Sequence, residues 1–174
     1  MNVKKLLIVP DRNNIEAYVD IIGKYNCGFE INDFFLPDIL DDPVKIEKII
    51  KIYKSKDVLP DYCTLHGAFL DVTIFSQDKR IFEVSDCRVE QSIAIARSLG
   101  VKAIVFHTNY IPNFRQEAYR KHWVESNARY WSQKLAKYSD IKIYMENMFD
   151  EDCELLVQLA ERMKDVKNFG ICFD

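Results

Sequence analysis

The feature that most constrains the fold is a regular alternation of two apolar patterns along the 174 residues. Short runs rich in β-branched and aromatic residues are typical of buried strands. They cover residues 6–9, 28–31, 62–65, 103–106, 141–145 and 169–173. Between them, apolar residues recur at three- and four-residue spacing, which indicates helices with one buried face. The longest such pattern is Val124, Ala128, Trp131, Leu135 and Tyr138. We therefore predict an α/β fold with right-handed crossovers and a parallel sheet, in a single domain that covers residues 1–174.

Residues suited to helix ends agree with this alternation. Asp42 precedes Pro43, which places a capping carboxylate before a proline at the first helical position. Ser85 and Asp86 are expected to cap the third helix, and Gly100 lies where that helix should end.

Composition excludes several classes of protein. The hydrophobic and charged fractions are 48% and 29%, and the net charge is −3, so no basic surface for nucleic acid is expected. Five single cysteines without a CxxC pair predict reduced thiols rather than disulfides or a zinc knuckle. The first apolar run is too short for a signal peptide, and none has transmembrane length. We expect a cytoplasmic protein with no membrane partner.

Six strand–helix units fit either an open doubly wound sheet or three-quarters of an eight-stranded barrel. No glycine-rich fingerprint follows the first strand, where Val9, Pro10, Asp11 and Arg12 stand, which disfavours a nucleotide-binding sheet. A complete (β/α)8 TIM barrel usually needs about 250 residues. The barrel alternative is therefore a partial TIM barrel with six βα units, which lacks the last two.

The carboxyl ends of four consecutive strands carry potential metal ligands. These are His66, His107, Glu146 and Asp174, and the second run also contains Glu30. In a parallel barrel these ends meet at one rim, where active sites form. A single histidine there is more often structural, and a single carboxylate often caps a helix, but four in succession favour a functional rim. Two imidazoles and two carboxylates can bind Zn²⁺, Mn²⁺ or a similar ion.

Other candidates follow the third and fourth strands. Asn109 and Tyr110 can contact a substrate or cap a loop, and Phe69 and Phe75 can line a pocket or anchor a long loop. Long loops at such a rim often act as lids. We expect His122 to be a surface residue.

Several segments of the chain resemble one known family. They are HGAFLD at 66–71, AIARSLG at 94–100, VFHTNY at 105–110, MENM at 145–148 and FGICFD at 169–174. Together they resemble the xylose isomerase-like TIM-barrel superfamily, and specifically sugar phosphate isomerase/epimerase-like proteins. The resemblance covers nearly the whole chain and is strongest from His66 onward.

The resemblance implies roles for particular residues. Glu146 matches a glutamate that binds the metal and acts as acid or base, and Asp174 matches an aspartate ligand. His66 and His107 match histidines that line the substrate pocket of the epimerases and bind zinc in endonuclease IV enzymes. We assign Asn109 and Phe69 to the substrate-binding group. The implied cofactor is a divalent metal: Mn²⁺, Mg²⁺, Co²⁺ or Zn²⁺.

The family pattern continues with further ligands on a seventh and an eighth strand, which this chain does not include. We therefore expect the 174-residue form to be inactive and to self-associate through its open barrel edges. The leading hypothesis is isomerisation or epimerisation of a small sugar or sugar phosphate by proton transfer next to a carbonyl. The alternatives are an endonuclease IV-like zinc phosphodiesterase and a non-enzymatic truncated barrel.

Overall fold

The computed structural model describes residues 6–56, 63–150 and 152–173. Six strands form one all-parallel sheet in sequential order, and an α-helix lies between each pair of successive strands. The strands are β1 (Leu7–Ile8), β2 (Gly28–Ile31), β3 (Thr64–His66), β4 (Ala103–His107), β5 (Lys142–Glu146) and β6 (Phe169–Cys172). The prediction of a parallel α/β fold is confirmed. Residue 62, which begins the third predicted run, lies outside the described residues.

The helices are α1 (Ile15–Tyr25), α2 (Pro37–Leu40), α3 (Pro43–Lys54), α4 (Lys79–Leu99), α5 (Glu117–Lys137) and α6 (Glu154–Arg162). Asp42 caps α3 by accepting hydrogen bonds from the amides of Val44 and Lys45, and Gly100 ends α4 in the left-handed conformation. Both boundaries agree with the sequence. The sequence patterns did not predict the single turn of α2 or a short 3-10 helix at Arg12–Asn14, because neither is long enough to show a helical period.

The predicted N-cap of the third helix, which is α4 in the structure, is wrong. Helix α4 begins two turns earlier than predicted, because Asp78 accepts hydrogen bonds from the amides of Arg80 and Ile81. Ser85 is fully buried inside the helix, where its hydroxyl donates to the carbonyl oxygen of Ile81. The loop between β3 and α4 is consequently shorter than the sequence suggested and spans residues 67–78.

The two faces of the sheet differ in chemistry because side chains alternate along each strand. The outer face packs against the helices and carries the apolar core, with exposed fractions of 1% or less for Phe29, Ile31, Leu65, Ile104, Phe106, Ile143 and Met145. Trp131 of α5 packs on Phe106 with ring centroids 5.1 Å apart. The alternate positions face the interior of the partial barrel, and the residues that end β3, β4 and β5 belong to this inner set.

The structure also addresses the predictions of reduced thiols and of no segment of transmembrane length. All five cysteines are reduced thiols, in agreement with the scattered spacing in the sequence. Within the described ranges, no helix is both long enough and apolar enough to span a bilayer.

Candidate metal centre

Three inward-facing side chains meet where β3, β4 and β5 end. Nε2 of His107 lies 3.0 Å from Nε2 of His66 and 3.0 Å from Oε2 of Glu146. The remaining pair, His66 Nε2 and Glu146 Oε2, is 3.9 Å apart. All three side chains are largely buried, with exposed fractions of 6%, 14% and 13% for His66, His107 and Glu146. The structure therefore brings together three of the four ligands that the sequence predicted.

The strand register explains this convergence. His107 pairs directly with Glu146 across β4 and β5, while His66 pairs with Val105, two residues before His107. Residues two apart on a strand face the same side, so all three side chains enter the same interior. Each residue also ends its strand, so each lies at the rim where the loops begin.

Hydrogen bonding fixes the protonation of His66. Its Nδ1 lies 3.0 Å from the carbonyl oxygen of Gly67, which can only accept, so Nδ1 carries the hydrogen and Nε2 presents a lone pair to the cluster. Burial lowers the pKa of His66 below its usual 6.5, and a nearby His107 acts in the same direction. His66 is thus neutral at pH 7, the form that binds metals.

Glu146 is ionised in the same environment. The hydrogen bond from His107 lowers the pKa of its carboxyl and outweighs the opposing effect of burial, with a further contribution from Cys172. An ionised carboxylate and a neutral imidazole are the states that a divalent cation requires of its ligands.

The three donor atoms fit a divalent cation. They lie within 4.8 Å of one another, and the individual separations of 3.0, 3.0 and 3.9 Å bracket the distance of about 3.3 Å between ligands around a tetrahedral zinc. Nδ1 of His107 is buried without a hydrogen-bond partner among the described residues. That atom can carry the ring hydrogen once Nε2 binds a cation. The donor set of two imidazoles and one carboxylate is suited to Zn²⁺ or Mn²⁺.

An aromatic wall, formed by Phe35 and Phe69, borders the two imidazoles. The ring centroid of Phe69 lies 5.0 Å from that of His66 and 4.8 Å from that of His107. On its other side, Phe69 stacks on Phe35 at 4.8 Å. Phe69 therefore lies beside both histidines of the cluster.

Asn109 and Tyr110 hold loops in the structure. Asn109 has a φ of 47°, a left-handed conformation that asparagine tolerates, and its amide donates to the carbonyl oxygen of Val72 at 3.1 Å. The hydroxyl of Tyr110 donates to the carbonyl oxygen of Phe114 at 2.7 Å. Of the two roles considered for this pair, these contacts correspond to loop capping.

The loop of residues 67–78 is anchored along its length. Phe75 is buried against Trp123, and its carbonyl oxygen accepts a hydrogen bond of 2.8 Å from Nε2 of His122. The expectation that His122 is a surface residue is therefore wrong, because its ring is half-buried and engaged with this loop. Ser85 and Ser92 of α4 accept hydrogen bonds from the amides of Thr73 and Ala68 in the same loop. These contacts hold the loop against α4 and α5.

The other predicted acids lie outside the cluster. Asp174 is outside the described residues. Glu30 lines a cavity of about 600 Å³ on the inner face of the sheet together with Thr64 and Tyr144. Sequence reasoning missed Cys172, whose Sγ lies 3.0 Å from Oε1 of Glu146. The signal in the sequence was its place near the end of the sixth predicted run.

Comparison with solved structures supports a partial barrel. The TTHB071 protein from Thermus thermophilus, solved with ZnCl2 soaking, matches 98% of this chain and 65% of its own length, with 17% identity and a TM-score of 0.71. A D-tagatose 3-epimerase-like protein gives the same coverages, 23% identity and a TM-score of 0.69. Endonuclease IV from Thermus thermophilus matches 98% of this chain and 61% of its own, with 14% identity and a TM-score of 0.53.

These structures establish the fold, and the chain spans about 65% of the length of the first two. The expected partial TIM barrel is thereby confirmed. No curated protein matches the sequence. The family model of the xylose isomerase-like TIM barrel matches residues 25–174. Since that match includes most of the sequence, the chain belongs to the xylose isomerase-like TIM barrel family.

Proposed function

We propose that this chain forms the metal-binding part of an isomerase or epimerase that acts on a small sugar or sugar phosphate. The observation that carries the proposal is the convergence of His66, His107 and Glu146 within 4.8 Å at the carboxyl rim of the strands. The structural likeness to a D-tagatose 3-epimerase-like protein agrees with a sugar substrate. A divalent ion, with Zn²⁺ and Mn²⁺ preferred for this donor set, is the proposed cofactor.

The chemistry needs a weakly acidic C–H bond next to a carbonyl. A divalent ion held by these residues would polarise a carbonyl and a neighbouring hydroxyl of the substrate and so make the intervening proton easier to remove. His66 and His107 hold one side of the ion site as neutral donors. Glu146 offers Oε2 on the side of the imidazoles and Oε1 on the other, so one oxygen can bind the ion while the carboxylate exchanges a proton with the substrate.

The surroundings of the site suit a small polyol. Phe69 presents an apolar surface beside the imidazoles, and we propose that it packs against the C–H face of the substrate. Asn109 acts on the site indirectly, because its amide holds the loop that carries Phe69. We retain Asp174 as a further ligand. We also propose that the 174-residue chain alone turns over poorly, because among the described residues the site offers Glu146 to remove the proton but no second acid to return it.

A zinc phosphodiesterase is the second candidate. Two histidines and a glutamate also suit zinc-assisted hydrolysis, and the fold resembles that of an endonuclease IV with a TM-score of 0.53. The net charge of −3 argues against it, because an enzyme that holds duplex DNA gains its affinity from clustered Lys and Arg. A barrel without catalytic activity is the third candidate, and it predicts no metal-dependent proton exchange into any ketose.

The proposed function is tested by metal binding and proton exchange. Isothermal titration of the chain with Zn²⁺ and Mn²⁺ should give one site, and Glu146→Gln should abolish it, since the amide preserves the shape but removes the charge. Glu161→Gln, at an exposed position of α6, is the matched control and should titrate like the wild type.

Exchange is measured as solvent deuterium incorporated into candidate ketoses, with and without phosphate. The assay is run on the 174-residue chain and on the longest natural polypeptide that contains it. Exchange that depends on metal and on Glu146 supports the proposal. Metal binding and exchange that both survive Glu146→Gln would show that the site is assigned wrongly.

A further inference from the structure

We propose that Cys172 is a positioning residue for Glu146, and that its thiol holds Oε1 so that the carboxylate offers Oε2 alone to the metal ion. The inference rests on the metal centre of the proposed function and adds a residue to it. It concerns how the glutamate is oriented, and it therefore makes predictions for metal affinity that do not depend on which sugar is the substrate.

The strand register places Cys172 opposite Glu146. The two residues are direct partners across β5 and β6, so both side chains face the interior of the barrel. One pair earlier, Tyr144 stands opposite Gly170. A Cβ atom at Gly170 would lie 2.8 Å from ring carbons of Tyr144, so the ring occupies the space that a side chain at this position would need. The absence of a side chain lets β6 run close beside β5, within reach of the carboxylate.

The two carboxylate oxygens of Glu146 have different partners. Oε1 is 3.0 Å from Sγ of Cys172, while Oε2 is 3.0 Å from Nε2 of His107 and faces His66 at 3.9 Å. A glutamate side chain is costly to order because several of its bonds rotate freely. A hydrogen bond to Oε1 removes that freedom and keeps Oε1 turned away from the imidazoles. A metal ion at this site would then be bound by Oε2 alone rather than by both carboxylate oxygens.

The thiol itself lies outside the donor set. Among the described residues, the atoms that approach one another within 4.8 Å come from His66, His107 and Glu146, without Cys172. A sulfur atom 3.0 Å from a carboxylate oxygen acts as the donor of the pair, because an ionised carboxylate can only accept. Residues that hold a ligand through a hydrogen bond typically change metal affinity 10–100-fold when they are replaced.

Two substitutions separate positioning from packing. Cys172→Ala removes the donor and should weaken Zn²⁺ binding by roughly 10–100-fold in isothermal titration of the 174-residue chain. Cys172→Ser retains a donor and should recover affinity to within a few fold of the wild type. Cys87→Ala, at an exposed position of α4, is the control and should bind like the wild type. Wild-type affinity in Cys172→Ala, or equal losses in Ala and Ser variants, would overturn the proposal.

Two spectroscopic measurements complete the test. In the metal-free chain, the S–H stretching band of Cys172, identified by its loss in Cys172→Ser, should shift in Glu146→Ala toward the position of a thiol without an acceptor. An unmoved band would contradict the hydrogen bond. In the Co²⁺-loaded chain, no sulfur-to-cobalt charge-transfer band should appear, and its presence would make Cys172 a ligand instead. Neither result depends on sugar exchange, so a failure of the proposed reaction is distinguishable from a failure of this inference.

Discussion

The Nε2 atoms of His66 and His107 lie 3.0 Å apart, although 41 residues separate the two histidines in the chain. Because Nδ1 of His66 donates to Gly67, Nε2 of His66 carries a lone pair, and the Nε2 hydrogen of His107 lies between that nitrogen and Oε2 of Glu146. A cation that replaces this proton would be held by both nitrogens and by the carboxylate of Glu146. We therefore expect both histidines to be needed for metal binding.

Replacement of either histidine should abolish most of the affinity. His66→Ala and His107→Ala each remove one of three donors, and we expect Zn²⁺ affinity to fall by more than about 100-fold, beyond the loss typical of a residue that only orients a ligand. Isothermal titration measures the effect. His122→Ala, which affects a loop contact and no donor, should retain the affinity. A variant at position 66 or 107 that binds like the wild type would remove that residue from the site.

Gly67→Ala should destabilise the fold. A Cβ atom at this position would lie 2.3 Å from a ring carbon of Phe106, whose side chain is buried in the core. Overpacking of this kind costs about 1–3 kcal/mol. Gly23→Ala is the opposite case, because the site is in α1 with no atom within 4 Å of the added carbon, and it should stabilise by about 0.5–1 kcal/mol. Urea unfolding of both variants measures the free energies. Equal changes in the free energy of unfolding of the two variants would contradict the predicted clash between residue 67 and Phe106.

Stability should fall in acid partly through Glu90. Partial burial raises the pKa of this carboxyl, but hydrogen bonds from Lys134, Tyr138 and Lys137 outweigh it and lower the pKa to about 2. The folded state thus binds fewer protons than the unfolded state, whose value is near 4.5. The contribution is complete above pH 4.5 and is lost as the pH falls toward 2.

The variant Glu90→Gln isolates this effect. Because the side chain remains 32% exposed, we expect about 1–2 kcal/mol rather than the full value implied by the shift. Urea unfolding at pH 6 and pH 3 should show the wild type losing more stability than Glu90→Gln. The control Glu125→Gln should lose as much free energy of unfolding as the wild type between pH 6 and pH 3. If the wild type and Glu90→Gln lose the same free energy of unfolding between pH 6 and pH 3, the contacts of Glu90 with Lys134, Lys137 and Tyr138 contribute little to stability.

The isolated 174-residue chain should self-associate. In the described part of the chain, β1 and β6 are the two edges of the sheet and are not paired with each other. The inner face also opens into a cavity of about 600 Å³ lined in part by Val105, Tyr144 and Ile171. Unpaired strand edges and open apolar surface both promote association. Light scattering should detect oligomers, whereas a dilute monomer with cooperative unfolding would contradict this prediction.

Nucleic acid should bind weakly and without preference for damage. With a net charge of −3, the chain lacks the excess of positive charge that holds a phosphate backbone. Fluorescence anisotropy should give the same weak affinity at physiological salt for an intact duplex and for one with an abasic site. Tight binding selective for the abasic site would favour the phosphodiesterase.

The sequence predicted the strands and the three residues that meet at the rim because both follow from local patterns. Buried parallel strands are continuous apolar runs, and a polar residue such as His107 or Glu146 that ends such a run is visible without any knowledge of packing. Parallel strands then bring those ends to one rim whatever the details of the helices. This explains why the strand boundaries differ from the structure by only one or two residues.

The contacts that depend on tertiary packing were not predictable in this way. Ser85 has a good capping side chain, but its hydroxyl bonds within α4 and to the loop at Thr73 instead. His122 lies on a polar stretch of helix, and its Nε2 nevertheless forms a hydrogen bond with the carbonyl oxygen of Phe75. The sequence shows Cys172 as one of five single thiols, and its contact with Glu146 was not predictable because it depends on how closely β6 approaches β5.

The anchored loop of residues 67–78 has a kinetic consequence. Its amides at Ala68 and Thr73 are bonded to α4, and its carbonyl oxygens at Val72 and Phe75 accept from Asn109 and His122. Lifting this segment away from the barrel would break all four of these hydrogen bonds. We therefore expect this segment to open more slowly than a loop without such contacts, and hydrogen exchange at its amides would measure that rate.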